Sequence, residues 1–328
     1  MQQSETLSRV SDIEKKLEEL KQKRDKYVGY AGKFLLVCIL VIIAASIMLG
    51  VLKEQSEMTS FLGGVVGAVG YITIPGFLIL LSMAGKKRKE FTKIYKENFV
   101  IAVLEEKLEN VEYNWLSGFT KEEIKQKGFV YMGAGFYSED CLNAEYKGVK
   151  FKRADVSIKN SNTDKEFIFR GQVYEIDFNK EILTGMQILG KNFSYSETPG
   201  YLRKCKVIET ESVNFNEKFE IRALDTQEAF YVLTPQMMEY ILKLNENYDS
   251  MCIIIEGTKM TLAANTGMDS FEVYDLKDSV NYETAKNEII GEIDSIKLII
   301  DELRIDDRKY VENIADNKSF NTSMNSLN

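Results

Sequence analysis

Phe34 to Leu52 reads FLLVCILVIIAASIMLGVL, nineteen residues without a charge. At 1.5 Å per residue a helix of that length covers about 28 Å, close to a hydrocarbon core of about 30 Å. A second uncharged run, Phe61 to Ala84, is longer and rich in Gly, Ile and Leu. The polar stretch Lys53 to Ser60 joins them. Soluble core helices are rarely apolar all round over such lengths, so the pair predicts a two-helix transmembrane hairpin. A cleaved signal peptide fails on position, because charged residues fill the stretch before Phe34 and no A-x-A-type site follows the run.

Basic residues beside the spans predict orientation. Lys21, Lys23, Arg24, Lys26 and Lys33 precede the first, while Lys86, Lys87, Arg88, Lys89 and Lys93 follow the second. The intervening loop offers only Lys53, beside Glu54 and Glu57. Both termini are therefore expected in the cytoplasm of a multi-pass cell-membrane protein. The cluster Lys86 to Lys89 serves first as a topology anchor and is also suited to anionic headgroups. Gly63 and Gly67, with Gly64 and Ala68 beside them, place small residues four apart on one face of the second span. Such faces let helices approach closely in lipid, and Ala45 and Ser46 of the first span are the nearest small partners. Self-association through this face is a weaker expectation. Neither span carries an ionisable residue, which argues against an ion pathway.

Outward from the hairpin, residues 8–28 repeat Val10, Ile13, Leu17, Leu20 and Tyr27 at helical spacings. That amphipathic helix has a natural partner in the continuation Lys86 to Asn110, with Phe91, Ile94, Tyr95, Phe99, Ala102 and Leu108. From about Lys125 to Tyr274 the texture turns to β-branched and aromatic alternation. Strands are expected over Phe129–Tyr137, Lys150–Ile158, Phe167–Phe178 and Leu202–Ile208, with a hairpin Met251–Glu256, Gly257-Thr258, Lys259–Ala264. Asp225 and Glu228 form a capping pattern for a helix Thr226–Leu233. Thr234 as N-cap and Pro235 at the first helical position start another, whose buried side is Met238, Ile241 and Leu242. After Asp278 a last helix runs to about Arg304. Its isoleucines Ile289, Ile293, Ile296 and Ile300, with Leu303, form a seam suited to a partner.

The fold expected is α+β, a mixed or antiparallel sheet with two short helices, because strands cluster around one helical block. The expected segments are a cytoplasmic helix (1–33), the hairpin (34–84), a membrane-proximal helix (85–112), the α+β domain (113–280), a C-terminal helix (281–305) and a disordered polar tail (306–328).

Chemistry is harder to find. No histidine occurs, which removes His-based triads, His-ligated metals and the usual near-neutral acid or base. Cys38, Cys141, Cys205 and Cys252 are scattered with no C-x-x-C pair, as expected of reduced buried thiols. No phosphate-loop or dinucleotide motif appears in a strand-to-helix setting, and Gly133-Ala134-Gly135 reads as a bulge or a close backbone approach. A net charge of −8 disfavours nucleic acid. No catalytic residue, cofactor or metal site is expected, and Asp and Glu alternating with Lys read as ordinary solvation. The lipid bilayer, a membrane or cytoplasmic protein and a second copy are the candidate partners. Aromatics Phe169, Tyr174, Phe215 and Phe219 are either core or the lining of a pocket for a small ligand or lipid headgroup, with core favoured.

One stretch carries a resemblance. Phe169-Arg170-Gly171-Gln172 leads into Val173–Phe178. VIETESVNFNEKFEIRALDTQEAFYVLTPQMMEYILKL follows at Val207–Leu244, then Met260–Asn265 and Phe271-Glu272-Val273. This order over about Lys86 to Leu303, most distinctive at Leu233-Thr234-Pro235, resembles the bacterial domain of unknown function 3137 family. The resemblance implies a bacterial chain with a hydrophobic hairpin, a cytoplasmic domain and a final helix. It implies no activity or cofactor. Two functions stay in view: a membrane-anchored interaction or scaffold module, and a tethered sensor of a small ligand or headgroup. An enzyme working with carboxylates alone ranks third.

Overall fold

The computed structural model describes residues 2–51, 56–160, 166–246, 248, 250–272 and 282–302. The chain divides into two compact units, residues 1–99 with 273–282, and residues 100–272 with 283–328. The tip of the expected hairpin at 52–55, Leu303 and the expected polar tail lie outside the described residues.

The first unit is built on two long helices. α1 spans Gln2–Val51 and α2 spans Ser56–Ile94. At about 75 Å and about 58 Å both outrun a bilayer core. The amphipathic stretch and the first apolar run are thus one continuous helix. Ser56 to Ser60, read as loop in the sequence, are the first turn of α2, because nothing in Ser-Glu-Met-Thr-Ser breaks a helix. Apolar side chains of the two runs point outward, Leu36 at 59%, Ile47 at 62% and Ile72 at 66% exposure, the reverse of a soluble core helix. Both are long and apolar enough to cross a membrane. The expected stripe Val10, Leu17 and Leu20 is buried. Beyond α2 the helix does not simply continue to Asn110. A π-helical run Tyr95–Val100 intervenes, a short α3 covers Ile101–Glu105, and a strand starts at Glu109. Phe91 stacks on Tyr95 at 6.4 Å and Tyr95 on Phe99 at 5.3 Å, a ladder of buried rings at i, i+4.

The second unit is the α+β domain. Its strands are β1 (Glu109–Asn114), β2 (Gly135–Tyr146), β3 (Val149–Lys159), β4 (Phe167–Gly190), β5 (Val207–Ile208), β6 (Phe219–Ala223) and β7 (Ser250–Asn265). Its further helices are α4 (Lys121–Lys127), α5 (Val213–Lys218), α6 (Thr226–Val232), α7 (Pro235–Asn245) and α8 (Tyr282–Glu302). All pairings are antiparallel, in the order β1-β2-β3-β4-β6-β5, with β7 added to β4.

Two departures from the sequence reading share one cause, the length of β4. Its first half pairs with β3 on one side and with residues 259–265 on the other. Its second half pairs with β6 and with residues 252–255. Both halves of the expected hairpin therefore lie along one partner, and β7 is a single strand. Gly257, at φ +57, lies opposite Ile182 where the register shifts, with the extra residues on β4, and is not a turn. The first strand was expected over Phe129–Tyr137. Instead β2 starts at Gly135, because Gly133 closes on the carbonyl of Lys159 so tightly that a Cβ there would lie 1.9 Å from that oxygen. The close approach expected of the Gly-Ala-Gly stretch is thereby present.

Among the described residues the short helices α3, α4, α5, α6 and α7 accompany the sheet, more than the two expected. α4 carries a full capping box, with Glu123 N–H on Thr120 Oγ1 at 3.1 Å and Thr120 N–H on Glu123 Oε2 at 2.6 Å, and Gly128 closes it at φ +67. The expected caps of α6 and α7 are present. Asp225 accepts the N–H groups of Gln227 and Glu228, and Thr234 accepts that of Met237 ahead of Pro235.

One face of the sheet packs Ile124, Phe119, Phe129 and Phe193 against Ala154, Val156, Ile158, Phe169, Val173 and Ala263. Phe129, Phe169 and Phe193 meet as a three-ring cluster, with centroids 5.7–6.4 Å apart. Phe169, Tyr174, Phe215 and Phe219 are all buried at 3% exposure or less, so they belong to the core.

Candidate functional site

Where α4 ends, the same sheet face turns polar. Period-2 alternation sends Lys150 and Lys152 of β3, Glu175 and Asp177 of β4, and Lys259 and Thr261 of β7 in strand-to-strand register. A groove of about 520 Å³ runs over them to Asn110, Glu112, Asn143 and Glu145. It joins a second hollow of about 370 Å³ beside Glu123, Gln126 and Lys127 of α4, the two sharing Glu175 and Lys259.

The charges are cross-linked. Lys127 reaches Glu175 and donates to Thr261 Oγ1 at 3.2 Å. Lys152 donates to Glu123 Oε1 at 2.9 Å and lies 4.3 Å from the centre of the Phe119 ring. Lys259 bonds Asp177 and stands 3.7 Å from Glu175. Burial by itself would raise the Glu175 carboxyl, but Lys127, Lys259 and Lys152 override it and hold it below the ordinary carboxylate range. The groove is thus lined by fixed charge of both signs. It suits a polar, charged surface and not an apolar ligand.

The opposite face of β3 buries an ionic network. Arg153 is 1% exposed, its guanidinium 3.0 Å from Asp155 and 3.2 Å from Glu292 of α8, and it also bonds the Ser270 hydroxyl. Its Cζ lies 4.6 Å over the Phe271 ring. Burial opposes the charge of Arg153, yet Asp155 and Glu292 more than offset it and keep the group protonated. Nearby, Asp140 sits in a bulge of β2 at φ +56 and accepts the hydroxyl of Tyr113. Oxygens of Glu139, Asp140 and Glu272 lie within 4.8 Å of one another, but each of the three also engages the protein.

The residues singled out in the sequence are dispersed. Lys86, Arg88 and Lys89 are exposed, and Lys87 pairs with Glu90 at 2.7 Å. Gly63, Gly64, Gly67 and Ala68 are exposed, and a Cβ on any of the three glycines would meet nothing within 4 Å. They do not form the contact with the first span expected of them. The close approach is lower on α2, at Gly76, where a Cβ would lie 2.8 Å from the Phe34 ring. Ala45 is buried as a small-residue contact would have it. The seam Ile289, Ile293, Ile296 and Ile300 is 1% exposed or less, consumed by the fold and not offered to a partner.

The groove and the Arg153 network escaped the sequence reading. Lysines and carboxylates alternating along single strands look like solvation until the strands are set side by side. Arg153 and Asp155, two apart within the apolar alternation Val149–Ile158, were the available signal for a buried pair.

Residues 167–305, from the start of β4 past the end of α8, match the family described as Protein of unknown function (DUF3137). The matched segment contributes β4 and β7 to the groove and Ser270 and Glu292 to the network, while β1, β2, β3 and α4 precede it. No curated protein matches the sequence. Among solved structures, that of the mycobacterial trehalose monomycolate transport factor A, TtfA, is similar over 65% of this chain and 93% of its own, at 7% identity and a TM-score of 0.33. A likeness that remote bears on neither fold nor function.

Proposed function

We propose that the chain is a bacterial membrane-anchored interaction module: the two apolar helices hold it in the bilayer, and the sheet groove docks a charged protein partner at the cytoplasmic face. The groove carries this reading. It is open, crosses β1, β2, β3, β4 and β7, and presents lysines and carboxylates in fixed pairs. Fixed charge of this kind gives specificity and register more than raw affinity, which fits a scaffold. The distribution of basic residues about the spans supports a cytoplasmic placement. We hold the module to be non-enzymatic, with the Lys86–Lys89 cluster on the lipid surface. Self-association is a further outcome that the capture experiment below registers.

Crosslinked capture from detergent-solubilised membranes tests the reading. Lys150→Glu with Lys259→Glu reverses two exposed groove charges. It is expected to reduce the captured partner about tenfold, with only a modest fall in thermal unfolding temperature from the like charge set opposite Asp177. Undiminished capture by the double variant would overturn the groove assignment. A second reading, a small polar ligand, is favoured by the groove's volume, which falls in the size range of small-molecule sites. Stabilisation of the unmodified protein by a soluble metabolite, absent in the same double variant, would select it.

A further inference from the structure

We propose that the groove's partner is a second copy of this chain, set face to face across a twofold axis. Such an occupant presupposes the groove reading above and goes one step past it. The order of charges across the sheet is the starting point. Strand register places Glu145 of β2 beside Lys150 of β3, and Asp177 of β4 beside Lys259 of β7. One step beyond the Phe151–Ile176 pair, Lys150 and Asp177 are neighbours as well. The four form one row across four strands, about 14 Å from end to end. Its signs run minus, plus, minus, plus.

The next row on the same face runs Asn143, Lys152, Glu175 and Thr261. Its signs are neutral, plus, minus, neutral. Both rows therefore change sign about the same line, between β3 and β4. All of these residues line the groove, and none of the six ions is buried. Pairing within one chain, Lys259 with Asp177 and Lys152 with Glu123, holds several of these side chains in place. Lys150 makes no ion pair among the described residues.

A twofold axis along that line, in the plane of contact, lays each row on its own reverse, as isologous contacts do. Glu145 then faces Lys259 of the second copy, and Lys150 faces its Asp177. In the other row Lys152 faces Glu175, while Asn143 and Thr261 meet as neutral polar groups. Every ionic facing is opposite in sign. Sliding the second copy by one strand reverses this. Lys150 and Lys152 then each meet themselves in one direction, as do Asp177 and Glu175 in the other. Like charges so opposed are disfavoured, so the pattern selects the register together with the partner. An unrelated protein would have to carry the complement independently, whereas a second copy carries it by construction.

Self-capture of the full-length protein in detergent, with two differently tagged forms mixed, tests the proposal. The unmodified forms are expected to capture one another. Lys150→Glu sets an acid opposite Asp177 of the second copy, and Asp177→Lys sets a base opposite its Lys150. Symmetry makes each clash occur twice. Either variant alone is expected to self-capture about tenfold less. Mixed together, the two variants face opposite charges at both positions, and capture of one by the other is expected to recover. Strain that a substitution creates within its own chain is present in the mixture too, so recovery reads the contact between copies. Glu145→Lys with Lys259→Glu repeats the scheme if either variant misfolds. Absence of self-capture by the unmodified protein would overturn the second copy and leave the groove to another protein, which capture from membranes reads separately. Undiminished self-capture by the single variants would put the contact elsewhere, and a mixture no better than either variant alone would refute the twofold.

Discussion

Arg153→Met destabilises the sheet domain by about 3–5 kcal/mol, the expected cost of leaving buried acids without their cation. The substitution keeps most of the side-chain volume, so the loss is electrostatic. Asp155, 4% exposed, and Glu292 lose the charge they share, and the Ser270 hydroxyl loses its bond to the guanidinium. Urea unfolding followed by the fluorescence of Trp115 gives a direct readout. It is the chain's single tryptophan, and its carbonyl accepts the Asp140 N–H at 3.4 Å. A companion variant separates charge from shape. Combining Arg153→Met with Asp155→Leu and Glu292→Leu removes the ions together, and buried ion networks exchanged for apolar groups often lose little stability. The triple variant is thus expected to recover most of the single variant's loss. Equal stability of Arg153→Met and the unmodified protein would mean that the network contributes nothing.

Gly171→Val is the second large effect, at about 1–3 kcal/mol or more. Gly171 closes the Phe169-Arg170-Gly171 motif and pairs with Val156 on one side and Asn265 on the other. A Cβ there would stand 2.1 Å from the carbonyl oxygen of Ala264 and 2.8 Å from the Thr266 nitrogen, and both are backbone atoms that cannot swing aside. The added carbons must part β4 from β7, the pairing around which the sheet is organised. Gly291→Ala provides the contrast, because a Cβ on that exposed position of α8 meets nothing within 4 Å. There the change stabilises by roughly 0.5–1 kcal/mol through helix propensity. The same unfolding curves check both signs.

The stretch Gly133-Ala134-Gly135 illustrates what was legible before the coordinates. A glycine inside an apolar strand pattern announces a close backbone approach, and the two apolar runs, the caps at Asp225 and Thr234 and the alternation over Lys150–Ile158 announce their elements locally. What was not legible depends on partners distant in sequence. Gly257-Thr258 looks like a turn until β4 is known to extend to Gly190 and pair with both flanks. β1, with Val111 and Tyr113 as its less exposed positions among six, exists because β2 supplies an edge for it. The isoleucines of α8 have the same spacing whether they face a partner or the protein's own interior, and periodicity cannot distinguish the two. The groove obeys the same logic, since Glu175 and Lys259 lie 84 residues apart and become neighbours only through the β4–β7 register.

The placement of the domain is the claim on which the functional reading turns. Protease accessibility in sealed right-side-out membrane vesicles tests it, with tags at the two ends of this chain and a third inserted between Lys53 and Glu54. The account predicts that both end tags survive until detergent is added and that the inserted tag is lost at once. Cleavage of either end tag in intact vesicles, or release of the chain from the membrane at alkaline pH, would contradict it.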